Sequence, residues 1–248
     1  MRKATALTSC SVCPVRRLNI FKQLPSELVT AIENYRTEQI TLPAKTFLYK
    51  QGEEHNNTYT LFSGWVMLYK TLDNGSRQIL RYALPGDFLS FQADFSSPIN
   101  HSAQALTECQ FCVFPRQSIL QMFEQHPKIA SQIAWITARD MSLSHEYLVN
   151  IGRKNAKERM AYLFLDLYHR LCTQMDYPEN TIPFPMTQED IADTIGLTLV
   201  HVNRTLRTLR EENLVKLAHH RLTILDYPTL AKLAGFTRPV DMQPQPLL

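Results

Sequence analysis

Seven glycines in 248 residues, none gathered into a phosphate-cradling loop, and no evident nucleophile–base pair leave little from which to build a catalytic site. No apolar run approaches the roughly 20 residues that span a bilayer, and MRKATALTSC lacks the apolar centre of a secretory signal. A cytoplasmic protein without a membrane partner is expected. Charge of one sign is also scarce: a net +3 makes bulk charge poor evidence for nucleic acid, so only the placement of basic residues can argue for it. Five cysteines in a reducing compartment point to thiols or ligands rather than structural disulfides. What is abundant is apolar: 44% hydrophobic content over this length predicts globular domains with real cores.

The most informative stretch is TQEDIADTIGLTLVHVNRTLRTLREENLVKL, residues 187–217. Ile191, Ile195, Val202, Leu206 and Leu209 recur at helical intervals, interrupted at Gly196. Two short helices meeting at a tight turn are predicted. Thr187 with Asp190 resembles a capping box, and Thr198 stands where it caps the second helix. With Val202, Leu206 and Leu209 facing inward, Val200, Asn203, Arg204, Arg207 and Glu211 share the outer face. Asn pairs bidentately with adenine, Arg with guanine, and Val200 or the Thr205 methyl suits a thymine methyl. A solvated helical hairpin gives a similar local pattern. Against it, LVKLAHHRLTILD places two apolar runs around a basic tip, the pattern of a β-hairpin wing in which Lys216, His219, His220 and Arg221 can meet phosphates.

Upstream, from about Glu38 to Pro115, short β-rich segments alternate with turn signals at Gln51-Gly52-Glu53, Asp73-Asn74-Gly75 and Leu84-Pro85-Gly86. This spacing predicts an antiparallel sandwich or jelly roll. Residues 127–150 contain no glycine or internal proline and predict a long helix, with a stripe of Ile129, Ile133 and Ile136 that shifts phase near Asp140 towards Met141 and Leu148.

Three segments carry a resemblance to a known family in its order: GDFLSF, HSAQAL and CVFP within 86–115, GRKNAKERMAYLFLDLYHRL at 152–171, and TQEDIADTIGLTLVHVNRTLRTL at 187–209. The chain resembles a Crp/Fnr transcription regulator from Cys10 to Tyr227. The resemblance implies an α+β protein with a cyclic-nucleotide-binding-like β jelly roll, a long dimerisation helix and a C-terminal winged helix-turn-helix. It divides the chain into a cysteine-containing arm (1–25), a sensor domain (26–126), a dimer helix and hinge (127–153), a DNA-binding domain (154–227) and a tail (228–248). Promoter DNA, a second copy and RNA polymerase are the implied partners. Thr187, Gln188, Thr198, Val200, His201, Asn203, Arg204 and Arg207 become the DNA-contact candidates. The family's recognition helix carries Glu, two residues, Ser or Gly, then Arg; here only Arg204 is retained, so the usual half-site does not transfer.

The signal is less determined. Members that bind cyclic AMP use a glutamate and an Arg-Ser pair where this chain has Phe91, His101 and Ser102. Phe cannot accept the ribose hydroxyl's hydrogen bond and a neutral His poorly replaces a bidentate arginine, so cyclic AMP is not expected. Another ligand, or a pocket filled by Phe91, is equally open. Cys10, Cys13 and Cys112 match cluster-ligand positions of the oxygen-sensing Fnr branch, which implies an iron–sulfur cluster. Asn19 and Phe21 stand where a further cysteine is required. Cys109 is the substitute candidate, although residues 109 and 112 of one strand point to opposite faces. Zinc at the four cysteines and a thiol switch stay open beside the cluster, whereas Cys172 reads as a packed thiol. Two other classes remain: a thioredoxin-like enzyme, for which CSVCPVRR has no preceding strand, and a ligand or interaction module that does not read DNA.

Overall fold

The computed structural model describes residues 3–17, 25–92, 94, 96–173, 177 and 180–237, with Arg17 described in its backbone only. Two compact units divide after Ala138. In the first, one antiparallel sheet runs β1 (Lys3–Thr5), β2 (Glu38–Leu42), β9 (Cys109–Pro115), β4 (Asn57–Ser63) and β7 (Phe88–Leu89). A second runs β3 (Phe47–Tyr49), β8 (Ser102–Ala105), β5 (Val66–Thr71) and β6 (Arg77–Ala83). The expected jelly-roll-like sandwich is present. Its interior holds Ile40, Leu42, Tyr49, Tyr59, Leu61, Val66, Leu68, Ala103, Phe111 and Val113, all removed from water. At the β5–β6 turn, Ser76 N–H donates to Asn74 Oδ1 at 3.0 Å and Gly75 takes φ +81°, the left-handed geometry an Asn-Gly hairpin uses.

Strand β9 is the hinge of this packing because its alternate residues serve two cores. Cys109, Phe111 and Val113 face into the sandwich, whereas Cys112 and Phe114 face outward onto helices. Those helices are α1 (Ser26–Tyr35), α2 (Arg116–Gln125) and the start of α3 (Pro127–Arg153), which contribute Leu28, Ile32, Ile119, Met122, Ile129 and Ile133. Opposite Cys109 the chain passes so close that a Cβ on Gly64 would come 2.4 Å from the Glu108 carbonyl and 2.7 Å from the Cys109 sulfur. Glycine is obligatory there, both sterically and for its φ of +95°.

In the second unit, the remainder of α3 precedes α4 (Ala156–Cys172), which starts at a complete Asn155–Glu158 capping box. A three-stranded sheet of β10 (Thr181–Pro183), β12 (Arg221–Ile224) and β11 (Val215–Ala218) flanks α5 (Gln188–Ile195) and α6 (Leu199–Glu211). The expected wing is the β11–β12 hairpin, with His219 and His220 both at positive φ at its tip. Strand β10 and a closing helix α7 (Tyr227–Ala234) carried no sequence signal that singled them out.

Candidate nucleic-acid interface and sensor site

The helix-turn-helix is fixed at each end by the groups its sequence suggested. Thr187 and Asp190 form a capping box, with Asp190 N–H donating to Thr187 Oγ1 at 3.1 Å and Thr187 N–H to Asp190 Oδ2 at 2.9 Å. Gly196 ends α5 in the left-handed region at φ 65°. Thr198 then caps α6 by accepting from His201 N–H at 3.3 Å. Val202, Thr205, Leu206 and Leu209 are buried, which turns Val200, His201, Asn203, Arg204 and Arg207 to solvent. Thr205 is 8% exposed, so its methyl serves packing and is withdrawn from the outer face. Val200, at 75% exposed, remains on the outer face. Arg207 is anchored by its Nε donating to Glu211 Oε1 at 2.7 Å, one turn on. Arg210 Nη2 donates to the Leu217 carbonyl at 2.7 Å and so ties α6 to the wing. Among the other candidates, Thr187 is exposed and Gln188 half-buried at the start of α5.

The proposed effector residues do not assemble into one pocket. Phe91 packs outside the sandwich, its ring 5.6 Å from Phe88 and 6.2 Å from Phe123 of α2. His101 and Ser102 lie at the start of β8 instead. His101 Nε2 is 3.0 Å from the Tyr49 hydroxyl and its Nδ1 is 2.7 Å from Asn100 Oδ1. Burial, reinforced by the Arg81 and Lys70 charges, lowers the His101 pKa to about 4. The imidazole is therefore neutral at pH 7 and cannot replace a guanidinium on phosphate. Ser102 Oγ is occupied by Gln51 N–H at 3.0 Å. Tyr49, His55 and Tyr59 surround this spot with aromatic rings, with centroids 5.2 Å apart for Tyr49–His55 and 5.4 Å for His55–Tyr59.

The cysteines separate along β9. Cys109 turns into the sandwich, where its thiol donates to the Trp65 carbonyl at 3.1 Å. Cys112, on the opposite face, joins Cys10 and Cys13. The N-terminal segment reaches it because β1 pairs with β2, which itself pairs with β9, and Thr8 N–H donates to Gln39 Oε1 at 2.8 Å. Among the three thiols lies Arg36, only 7% exposed, a residue that no sequence motif singles out. Its Nη1 lies 3.7 Å from Cys112 Sγ and donates to the Thr8 carbonyl at 2.8 Å, while Nη2 is 3.5 Å from Glu33. Glu33 in turn accepts from Cys10 N–H at 3.2 Å. Burial pushes the Cys10 thiol up to about 11 and raises Cys13 and Cys112 as well. A four-thiolate cluster does not fit this arrangement: the fourth thiol faces another core and a buried guanidinium stands against the Cys112 sulfur. Among the described residues no group of three or more His, Cys, Asp or Glu side chains is arranged to hold a metal ion. Asn19 and Phe21 lie outside the described residues.

Comparison with known proteins adds an independent line. Residues 39–126 match the cyclic nucleotide-binding domain and residues 158–233 the Crp-like helix-turn-helix domain. The nitrogen fixation regulation protein FixK of Bradyrhizobium diazoefficiens is 28% identical over 91% of this chain and 94% of its own. The transcriptional activatory protein AadR of Rhodopseudomonas palustris is 30% identical, over 90% and 92% respectively. The structure of FixK2 from Bradyrhizobium japonicum superposes with a TM-score of 0.72 over 79% of this chain and 96% of that one, at 24% identity.

Proposed function

Because the chain belongs to the Crp/Fnr family of transcription regulators, we propose that it binds a two-fold symmetric promoter site as a homodimer, under control of a signal received in the first unit. It is a DNA-binding regulator and not an enzyme. The observation that carries the finer reading is the outer face of α6, where Val200, Asn203, Arg204 and Arg207 point to solvent from a helix capped at Thr198. We assign direct base contact to Val200, Asn203 and Arg204, and backbone or base contact to Arg207, His201, Thr187, Gln188 and Thr198. Dimerisation through α3 is supported by Met141, Leu148 and Val149, which are 57%, 70% and 50% exposed on one helix. Half-sites then fall about one helical turn apart, roughly 34–36 Å centre to centre. RNA polymerase is the further partner this reading implies, and the cytoplasm its location.

Cyclic AMP is not the signal in this reading, because the neutral His101 is held by Tyr49 and Asn100 and Phe91 packs elsewhere. The test is gel retardation on a selected site and on random DNA. Sequence-specific binding by the wild type, weakened in Arg204→Ala, is expected. Equal affinity for both DNAs would favour the interaction-module reading, and full-affinity occupation of a single half-site by a monomer would remove the dimer.

A further inference from the structure

We infer that Arg159 is a positioning residue for DNA recognition: its guanidinium clasps the turn of the helix-turn-helix to the linker between α3 and α4, and so sets the direction in which α6 presents its outer face. This deepens the reading of α6 as the DNA-contacting helix and rests on it. The clasp has two acceptors. Arg159 Nη1 donates to the Ile195 carbonyl at 3.1 Å and Nε to the Lys154 carbonyl at 2.8 Å. Ile195 is the last residue of α5, so its carbonyl is one that a helix end leaves without an intrahelical N–H, and a cation there also meets the negative end of the helix dipole. Lys154 lies between the helices, after Arg153 closes α3 and before Asn155 caps α4.

The surroundings hold the arginine in that place. Buried Asn150, in the last turn of α3, donates its side-chain N–H to the Arg159 carbonyl at 3.3 Å. A Cβ on Gly196 would come 3.7 Å from Ile151 Cγ2 and 3.8 Å from Arg159 Nη1, so the end of α3 and the guanidinium both lie against the turn. Lys157 reaches the other end of α6, where its ammonium donates to Glu212 Oε1 at 2.6 Å, just past the last residue of that helix. The start of α4 therefore holds α6 at both ends. Guanidinium donors are fixed in one plane, so a shift of either carbonyl beyond hydrogen-bond tolerance loses one of the two bonds. A lysine carries the same charge but sends its donors from a single atom, and it does not reproduce the spaced pair.

The experiment compares full-length wild type, Arg159→Met, Arg159→Lys, Asn150→Ala and the Asn150→Ala/Arg159→Met double variant by retardation on a selected site and on random DNA. Hydrogen exchange of the turn amides is followed separately, without DNA. Arg159→Met should weaken the specific complex about tenfold, the size of one charge-assisted hydrogen bond, and random-sequence binding much less. Arg159→Lys should keep the unfolding midpoint of the second unit yet lose nearly as much specific affinity. In both, the Leu197 N–H, bonded to the Ala192 carbonyl across the turn, should exchange faster while the α4 amides keep their protection. Asn150→Ala should weaken the specific complex by itself and add little to Arg159→Met, because both act through one contact. Wild-type affinity in Arg159→Lys would reduce Arg159 to a charge at the end of α5, equal loss on both DNAs would make it a phosphate contact, and additive effects of Asn150 and Arg159 would dissolve the clasp; each overturns the proposal. If Arg159→Met does not fold, Arg159→Lys carries the same decision. A wild type without sequence preference would defeat the reading of α6 instead, and the exchange of Leu197 in Arg159→Lys then decides the clasp alone: faster supports it, unchanged overturns it.

Discussion

The two units carry their functional groups in opposite ways. In the second, the residues that would touch a partner stand on the outer face of one short helix, at spacings set by 3.6 residues per turn. In the first, the corresponding positions have been drawn into packing: His101 is bonded to Tyr49, Phe91 meets Phe123 edge to face, and Cys112 lies beside a buried arginine. A surface site on one element needs only that element's periodicity to be read. An interior site depends on which strands become neighbours, which no single element's spacing reveals.

The sharpest way to separate the units is to damage one core. Phe111→Ala, in the sandwich interior, should cost about 3–5 kcal/mol in the stability of the first unit. Denaturant unfolding followed by fluorescence and by far-ultraviolet dichroism would check this: a separate, unshifted transition for the second unit is expected. Arg204→Ala should act the other way, leaving both unfolding transitions in place while weakening the specific complex by about 1–3 kcal/mol and random-sequence binding much less. Equal losses on both DNAs would reassign Arg204 to phosphate.

How much was legible follows the same division. The capping pair Thr187–Asp190, the Thr198 cap, the wing and the Asn74-Gly75 turn are local, and each stands where the sequence indicated. The opposite orientation of Cys109 and Cys112 also followed from strand alternation alone. Thr205 was misjudged because a residue at the edge of a helical face can fall on either side, and only the packed neighbours decide. Arg36 was invisible because nothing in AIENYRTEQ distinguishes a buried arginine from a solvated one. Its burial arises when the segment leading from β1 folds across β2 towards Cys112, a contact 76 residues distant in sequence.

A smaller effect concerns acidity. The His101 pKa lies at about 4 in the folded chain, against an ordinary 6.5. Below about pH 6.5 the unfolded chain gains a proton that the folded chain refuses until about pH 4, so this residue costs stability as pH falls through that window and nothing above it. The loss should reach about 1–3 kcal/mol near pH 4. Comparison of wild type with His101→Gln across pH 4–7 isolates it, and parallel curves would refute it. Smaller still, Thr198→Ala should cost about 1 kcal/mol through the lost cap of α6, read in the melting of the second unit.

The narrow crossing of Gly64 over Cys109 gives the sandwich a built-in clock. With its thiol at 0% exposure, pushed up to about 11 by burial and donated to the Trp65 carbonyl, Cys109 can be alkylated only after β9 parts from its neighbours. In a variant whose other four cysteines are serine, the rate of labelling by a small thiol reagent therefore counts openings of the sandwich directly. At reagent excess the rate becomes independent of reagent concentration and equals the opening rate itself. Enlarging Gly64 to alanine, which forces the crossing strands apart, should make that clock run faster.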